Sequence, residues 1–156
     1  MDLAKQIEEA IVAGSEDLFD SPSDRENLRV TVRIARDFYN FLVEHGETPP
    51  ASEVTYVMDT IRSGMDWFFP LAHACTAINT PRPTWNFDAH RNWDFPSLRQ
   101  DFLRRFESLS NGPDTGAPEK LAQLLALTHL QLVFLAQHFP STMFREIHEA
   151  VDRRPR

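Results

Sequence analysis

The chain has a single cysteine, only five glycines, and fewer basic than acidic residues, 16 against 23, among 156 positions. One thiol, Cys75, excludes an internal disulfide framework and any metal site built from several cysteines, and it suits a reducing compartment. Scattered glycines form no Gly-rich loop that could cradle a phosphate, so Walker and dinucleotide-binding motifs are excluded. The formal net charge of −7 argues against nucleic acid or an anionic membrane as partner, since both are bound by neutralising negative charge with Lys and Arg. A basic protein is easier to accommodate. Lysine is also scarce: Lys5 and Lys120 are the only two, and arginine supplies the other cations.

A local absence says more than these global ones. From Leu121 to Phe144 there is no formal charge, although 25% of the chain is charged. Lys120 and Arg145 bracket the run. Its length approaches the roughly 20 residues of a membrane span, but Gln123, Thr128, His129, Gln131, Gln137, His138 and Pro140 interrupt it. A helix apolar around most of its circumference has to be surrounded by protein. The run is therefore expected to be the central strut of the fold or half of an oligomer contact. Phe134 and Leu127 lie opposite the stripe Leu121, Leu125, Leu132 and Phe139. Unless neighbouring helices cover both sides, a second copy must do so, and a homodimer is expected on that ground. The segment Met1 to Gly14 carries Asp2, Glu8 and Glu9 and no apolar run, so no leader is expected there and the expected location is cytoplasmic.

Punctuation along the chain marks six helical segments. The first spans about Asp2 to Ala13 and is expected to stop at Gly14. Ser23 and Glu26 stand at the capping-box offset and are expected to open a second helix that runs to His45 and ends at Gly46. Leu28, Val32, Ala35, Tyr39 and Leu42 form one stripe along it, and Val30, Ile34 and Phe41 a second, so this helix should touch neighbours on two sides. The third, about Ser52 to Asn79, carries the stripe Val54, Met58, Ile61, Met65, Phe68, Ala72 and Cys75. Its outward face is Asp59, Ser63, Asp66, Pro70 and His73. Pro70, lying on that face, leaves a carbonyl that water can reach. Trp67, Leu71 and Ile78 should widen the buried face beyond it. A fourth helix starts near Pro96 or Ser97 and ends at Asn111. The uncharged run is the fifth, opened by Pro118, and Ser141 to about Val151 a short sixth. No segment alternates with a two-residue period. The fold class is all-α: an antiparallel bundle of about five to six helices, with residues 1–152 as one domain and 153–156 as a frayed C-terminal tail.

Candidate functional residues fall in three groups. Between the third and fourth helices lies a long connection, 80–95, crowded with aromatics, and long loops inside compact domains are often functional. Arg82, Trp85, Phe87, His90, Arg91, Trp93 and Phe95 mix aromatic and Arg side chains as interface hot spots do; the alternative is an Ω-like loop folded back to close the core. Among the six histidines no pair has helical metal-ligand spacing, but His45, His73 and His129 could converge from three helices. His129 is the best single candidate, with Thr128 or Gln131 beside it. The simpler reading is a neutral core histidine. Asp59 and Asp66 read as a solvated face with Arg62, and Arg29, Arg33 and Arg36 as a mixed solvated face with Glu26, Asp37 and Glu44. No catalytic constellation emerges and no cofactor is expected. The leading expectation is thus a non-catalytic protein-protein interaction factor of adaptor, inhibitor or immunity type, using the aromatic loop and the acidic surface. A metal- or small-molecule-binding bundle, with or without enzymatic activity, comes second. An acidic nucleic-acid mimic comes last, because the carboxylates are interleaved with Arg.

Overall fold

The computed structural model describes residues 3–77, 94–111 and 117–138. Five α-helices and one 3₁₀ turn make up the described residues, with no strand among them. The helices are α1 (Leu3–Ser15), α2 (Pro22–His45), α3 (Ala51–Ala77), α4 (Phe95–Asn111) and α5 (Ala117–His138); the 3₁₀ turn Glu16–Leu18 joins α1 to α2. The expected sixth helix, the loop up to residue 93 and the tail 153–156 lie outside the described residues.

Contacts along paired helices run in opposite senses. Glu8 meets Arg36 and Glu16 meets Arg29; His45 faces Glu53 while Ile34 abuts Gly64; Tyr39 stacks on Phe106 while Arg99 reaches the carbonyl of Leu42. Phe95 packs against Phe134, and Gln123 shares a hollow with Ser108. Numbers rise on one helix as they fall on the other, so α1/α2, α2/α3, α2/α4 and α4/α5 are antiparallel pairs.

The described part of the uncharged run, Leu121 to His138, forms the centre. Helix α5 packs against all four other α-helices, and Leu121, Leu124, Leu125, Leu127, Leu130, Leu132, Val133, Phe134 and Leu135 are buried around its circumference. The chain itself provides the cover that such a helix demands, which removes the reason for expecting a second copy. Phe134 meets Phe38 at 5.1 Å between ring centroids, and Phe38 also stands edge-on to Phe102 at 4.8 Å. Each fully buried ring contributes about 1.5–3 kcal/mol by burial, with roughly 0.5–1.5 kcal/mol more for a well-disposed aromatic pair. Helix α2 touches the other four α-helices, as its two stripes require.

Several local expectations are corrected. Helix α1 does not stop at Gly14 but runs through it to Ser15 and on into the 3₁₀ turn, which delivers Phe19 to the core at 3% exposure. A glycine inside a helix costs only about 1 kcal/mol, so burial there wins over the stop signal. Helix α2 begins at Pro22 rather than after a Ser23 cap. Ser21 is the N-cap, though its side chain makes no capping bond, and its carbonyl accepts from the Arg25 N–H at 3.1 Å. Proline's fixed φ is already helical, so the turn starts with it and Ser23 falls inside. The other end is as expected: Gly46 adopts φ 63° and its N–H bonds the Leu42 carbonyl. Helix α4 starts at Phe95 because Asp94 caps it, Oδ1 accepting from the Ser97 N–H at 2.8 Å. Hydrogen bonds from Ser97, side chain first and then backbone, hold the Asp94 carboxyl below its usual value.

On α3 the outward residues Asp59, Ser63, Asp66, Pro70 and His73 are all exposed, and Pro70 sits inside the helix. Trp67 does not join the buried face as expected; it is 37% exposed, while Leu71 beside it in the next turn is fully buried. Gly64 explains how closely α2 and α3 approach: a Cβ there would lie 2.7 Å from Ile34 Cδ1 and 2.9 Å from the Phe68 ring.

Candidate functional site: the groove between the second and third helices

Below Gly64 the two helices diverge enough to leave a groove of ≈330 Å3. Its floor is apolar, from Ile34, Phe38, Phe41, Val57 and Ile61, and its rim is polar, with Asp37, Asn40, Glu44 and His45 on α2 and Glu53, Tyr56 and Thr60 on α3. Among the described residues three carboxylates and no Lys or Arg line it. Tyr56 is the most exposed large hydrophobic side chain of the described residues, at 70%. Trp67 lies three turns further along α3, and eleven residues at about 100° each return to within about 20° of the Tyr56 direction. The two exposed aromatics thus share a face.

The rim charges are unequally satisfied. Arg36 donates to Asp37 Oδ1 at 3.1 Å and also pairs with Glu8 at 2.5 Å. Burial works against the Arg36 charge, but the hydrogen bond with Asp37 and the attraction of Glu8 outweigh it and raise its pKa. Asp37 thus shares the Arg36 guanidinium with Glu8. Among the described residues Glu53 has only His45, with 3.9 Å between Oε2 and Nε2, beyond hydrogen-bonding reach. Glu44, exposed on the next position of α2, has no ion pair among the described residues. Negative charge is thus concentrated at the His45 end of the groove.

The arginine set on α2 turns out not to be a merely solvated face. Arg29 pairs with Glu16 of the 3₁₀ turn and with Glu26, and Arg36 with Glu8 of α1, so two of the three tie the first helix to the second. Spacing within α2 could not reveal the pairs with Glu8 and Glu16, because those two carboxylates lie on other elements.

The histidines do not converge. His45 sits half-buried at the end of α2, its ring tilted against Phe41 at 5.3 Å; His73 is on the exposed face of α3, and His129 is inside α5 at 4% exposure. Among the described residues no group of three His, Cys, Asp or Glu side chains is placed to hold a metal ion. Nor do the proposed neighbours of His129 join it. Gln131 lies two residues on, about 200° round the helix, and Thr128 bonds back to the Leu125 carbonyl at 2.7 Å. Gln131 is fully buried with neither carboxamide atom hydrogen-bonded, an arrangement that costs about 1–3 kcal/mol. Cys75 is buried and in no disulfide, a packed thiol on the apolar stripe.

Of the aromatic loop candidates, Arg82, Trp85, Phe87, His90, Arg91 and Trp93 lie outside the described residues. Phe95 is the first residue of α4, half-buried against Phe134 at 5.8 Å. The remaining hollows follow α4; the largest, ≈370 Å3, has its described lining on that helix alone and so lacks a second wall. The groove residues went unremarked as a set in the sequence. Tyr56 carried the available signal: an aromatic standing off the Val54, Met58, Ile61 stripe, between Thr55 and Asp59.

Comparison of the chain with protein-family models, with curated proteins and with solved structures finds no match. Among the described residues no helix is long and apolar enough to cross a membrane.

Proposed function

We propose that this protein is a non-catalytic interaction factor of the adaptor, inhibitor or immunity type that engages a basic protein, in the cytoplasm. The observation that carries the reading is the groove itself: exposed Tyr56 above an apolar floor, with carboxylates and no cation in the lining. Aromatic side chains dominate interface hot spots, and charge complementarity with a basic partner supplies specificity and speed of encounter. The 80–95 segment, with Arg82, Trp85, Phe87, His90, Arg91, Trp93 and Phe95, belongs to the same proposal as a second contact of hot-spot composition. The buried Cys75 thiol, in no disulfide, is compatible with a reducing cytoplasm. A metal-binding bundle finds less support, since the three candidate histidines sit in different surroundings. A nucleic-acid mimic finds less still, since Glu8, Glu16 and Asp101 are matched by arginines.

Native mass spectrometry of the protein isolated from its own host tests the reading. A co-purifying basic protein, lost in Trp85→Ala or Trp93→Ala at unchanged melting temperature, is the expected result. A stoichiometric metal or small molecule with no protein attached would sink it.

A further inference from the structure

We infer that the α2/α3 groove is the seat of one amphipathic helix of the partner, whose apolar side chains fill the floor and whose Arg or Lys is held between Glu44 and Glu53. The inference rests on the interaction reading above and specifies its surface and its ligand.

Shape comes first. From Ile34 to His45 the groove wall rises for eleven residues, about 16 Å or three helical turns, which matches the i, i+3/i+4, i+7 anchors of a helix laid in a groove. Both walls are helices anchored in the core: Phe38 and Phe41 contact Phe134, and Val57 and Ile61 are buried. The site is thus preformed, which limits the ordering cost of binding.

Charge fixes the chemistry of the occupant. Asp37 already shares Arg36 with Glu8, so the groove carboxylates with no Arg or Lys beside them among the described residues are Glu44 and Glu53, one on each wall, both at the His45 end. An anionic or purely apolar helix would leave them facing like charge or buried without a partner, which is unfavourable. A cation there also meets the Tyr56 ring, and a guanidinium stacks on such a face better than an ammonium. One terminal Arg with apolar anchors on the following two turns is therefore the favoured pattern.

The test titrates the full-length protein with synthetic amphipathic helices of about five turns, identical in apolar face and carrying either Arg or Glu on the flanks, by calorimetry. The Arg peptide should bind, more weakly in high salt, and the Glu peptide should not. Glu44→Gln with Glu53→Gln should weaken the Arg peptide about tenfold or more. Tyr56→Ala should weaken it too, and Asp59→Asn with Asp66→Asn, on the outward face of the same helix, should leave it unchanged. Equal binding of both peptides, or loss with the Asp59 and Asp66 variant alone, overturns the inference. So does a dimer in sedimentation that Tyr56→Ala dissociates, which would assign the groove to a second copy. A natural partner that stays bound to the Glu44 and Glu53 double variant would sink the groove while leaving the interaction reading intact; absence of any protein partner would sink that reading itself.

Discussion

The two edges of α2 face the same kind of side chain and treat it differently. Towards α1, carboxylates are answered: Glu8 by Arg36, Glu16 by Arg29. Towards α3, Glu44 and Glu53 line a groove with no Lys or Arg in it. One edge is electrostatically closed within the fold, and the other is left open above an apolar floor. Acidic composition alone therefore says little about a surface; where the counter-charges come from decides whether a carboxylate holds the fold together or remains available to a partner.

If this contrast is right, substitutions on the closed edge cost stability and those on the open edge cost binding. Phe38→Ala sets the upper limit, because that ring joins α2 to both α4 and α5; it should lose about 3–5 kcal/mol in urea unfolding and both edges with it. Gly64→Ala should cost about 1–3 kcal/mol, since the new methyl meets Ile34 and Phe68 and wedges the groove walls apart; a small loss would mean that those side chains move aside. Arg36→Ala should cost about 1 kcal/mol by leaving the half-buried Glu8 unpartnered, and by releasing Asp37 it should strengthen the Arg peptide. Glu44→Gln with Glu53→Gln should stay within about 0.5 kcal/mol of the parent; a larger loss would mean that those carboxylates are structural and the edge is not open.

The smallest effect is one of pH. Burial raises the Asp101 pKa, but hydrogen bonds from Arg105 and Arg104 outweigh it and hold the carboxyl below its usual value. A depressed folded-state pKa means stabilisation that is full above the unfolded carboxylate value, about 3.9, and lost as pH falls through the lower folded-state value. The pairs lie within one helix and their arginines are exposed, so they contribute about 0.5 kcal/mol or less. Unfolding of Asp101→Asn and the parent should differ slightly near neutrality, and the difference should shrink as acid takes the carboxyl through its lowered folded-state pKa.

Much of this architecture was readable in the residues. The missing charge between Leu121 and Phe144 pointed to a helix enclosed by protein, and the 3.6-residue period picked out the exposed face Asp59, Ser63, Asp66, Pro70 and His73 without error. Stop and start signals were weaker guides: Gly14 and Ser23 are local cues, overridden by the burial of Phe19 and by the fixed φ of Pro22. The groove was not legible, because it exists only once Gly64 brings α3 against Ile34 and pairs two stretches of chain in antiparallel register. The arginine clamps were hidden for the same reason. Trp67 was misjudged because the turn that buries Phe68 and Leu71 rotates it towards solvent.

The central position of α5 also bears on how the chain folds. Its neighbours include α1, more than a hundred residues earlier, and all four other α-helices are completed before it in chain order. Until α5 joins them, Phe38 and Phe41 lack the Phe134 ring against which they pack. Such long-range closure slows folding, and a partly made core of this kind exposes apolar surface that associates non-specifically. The helix that carries the uncharged run is thus the keystone in time as well as in space, and a chain lacking it should collapse into aggregates rather than settle as a smaller bundle.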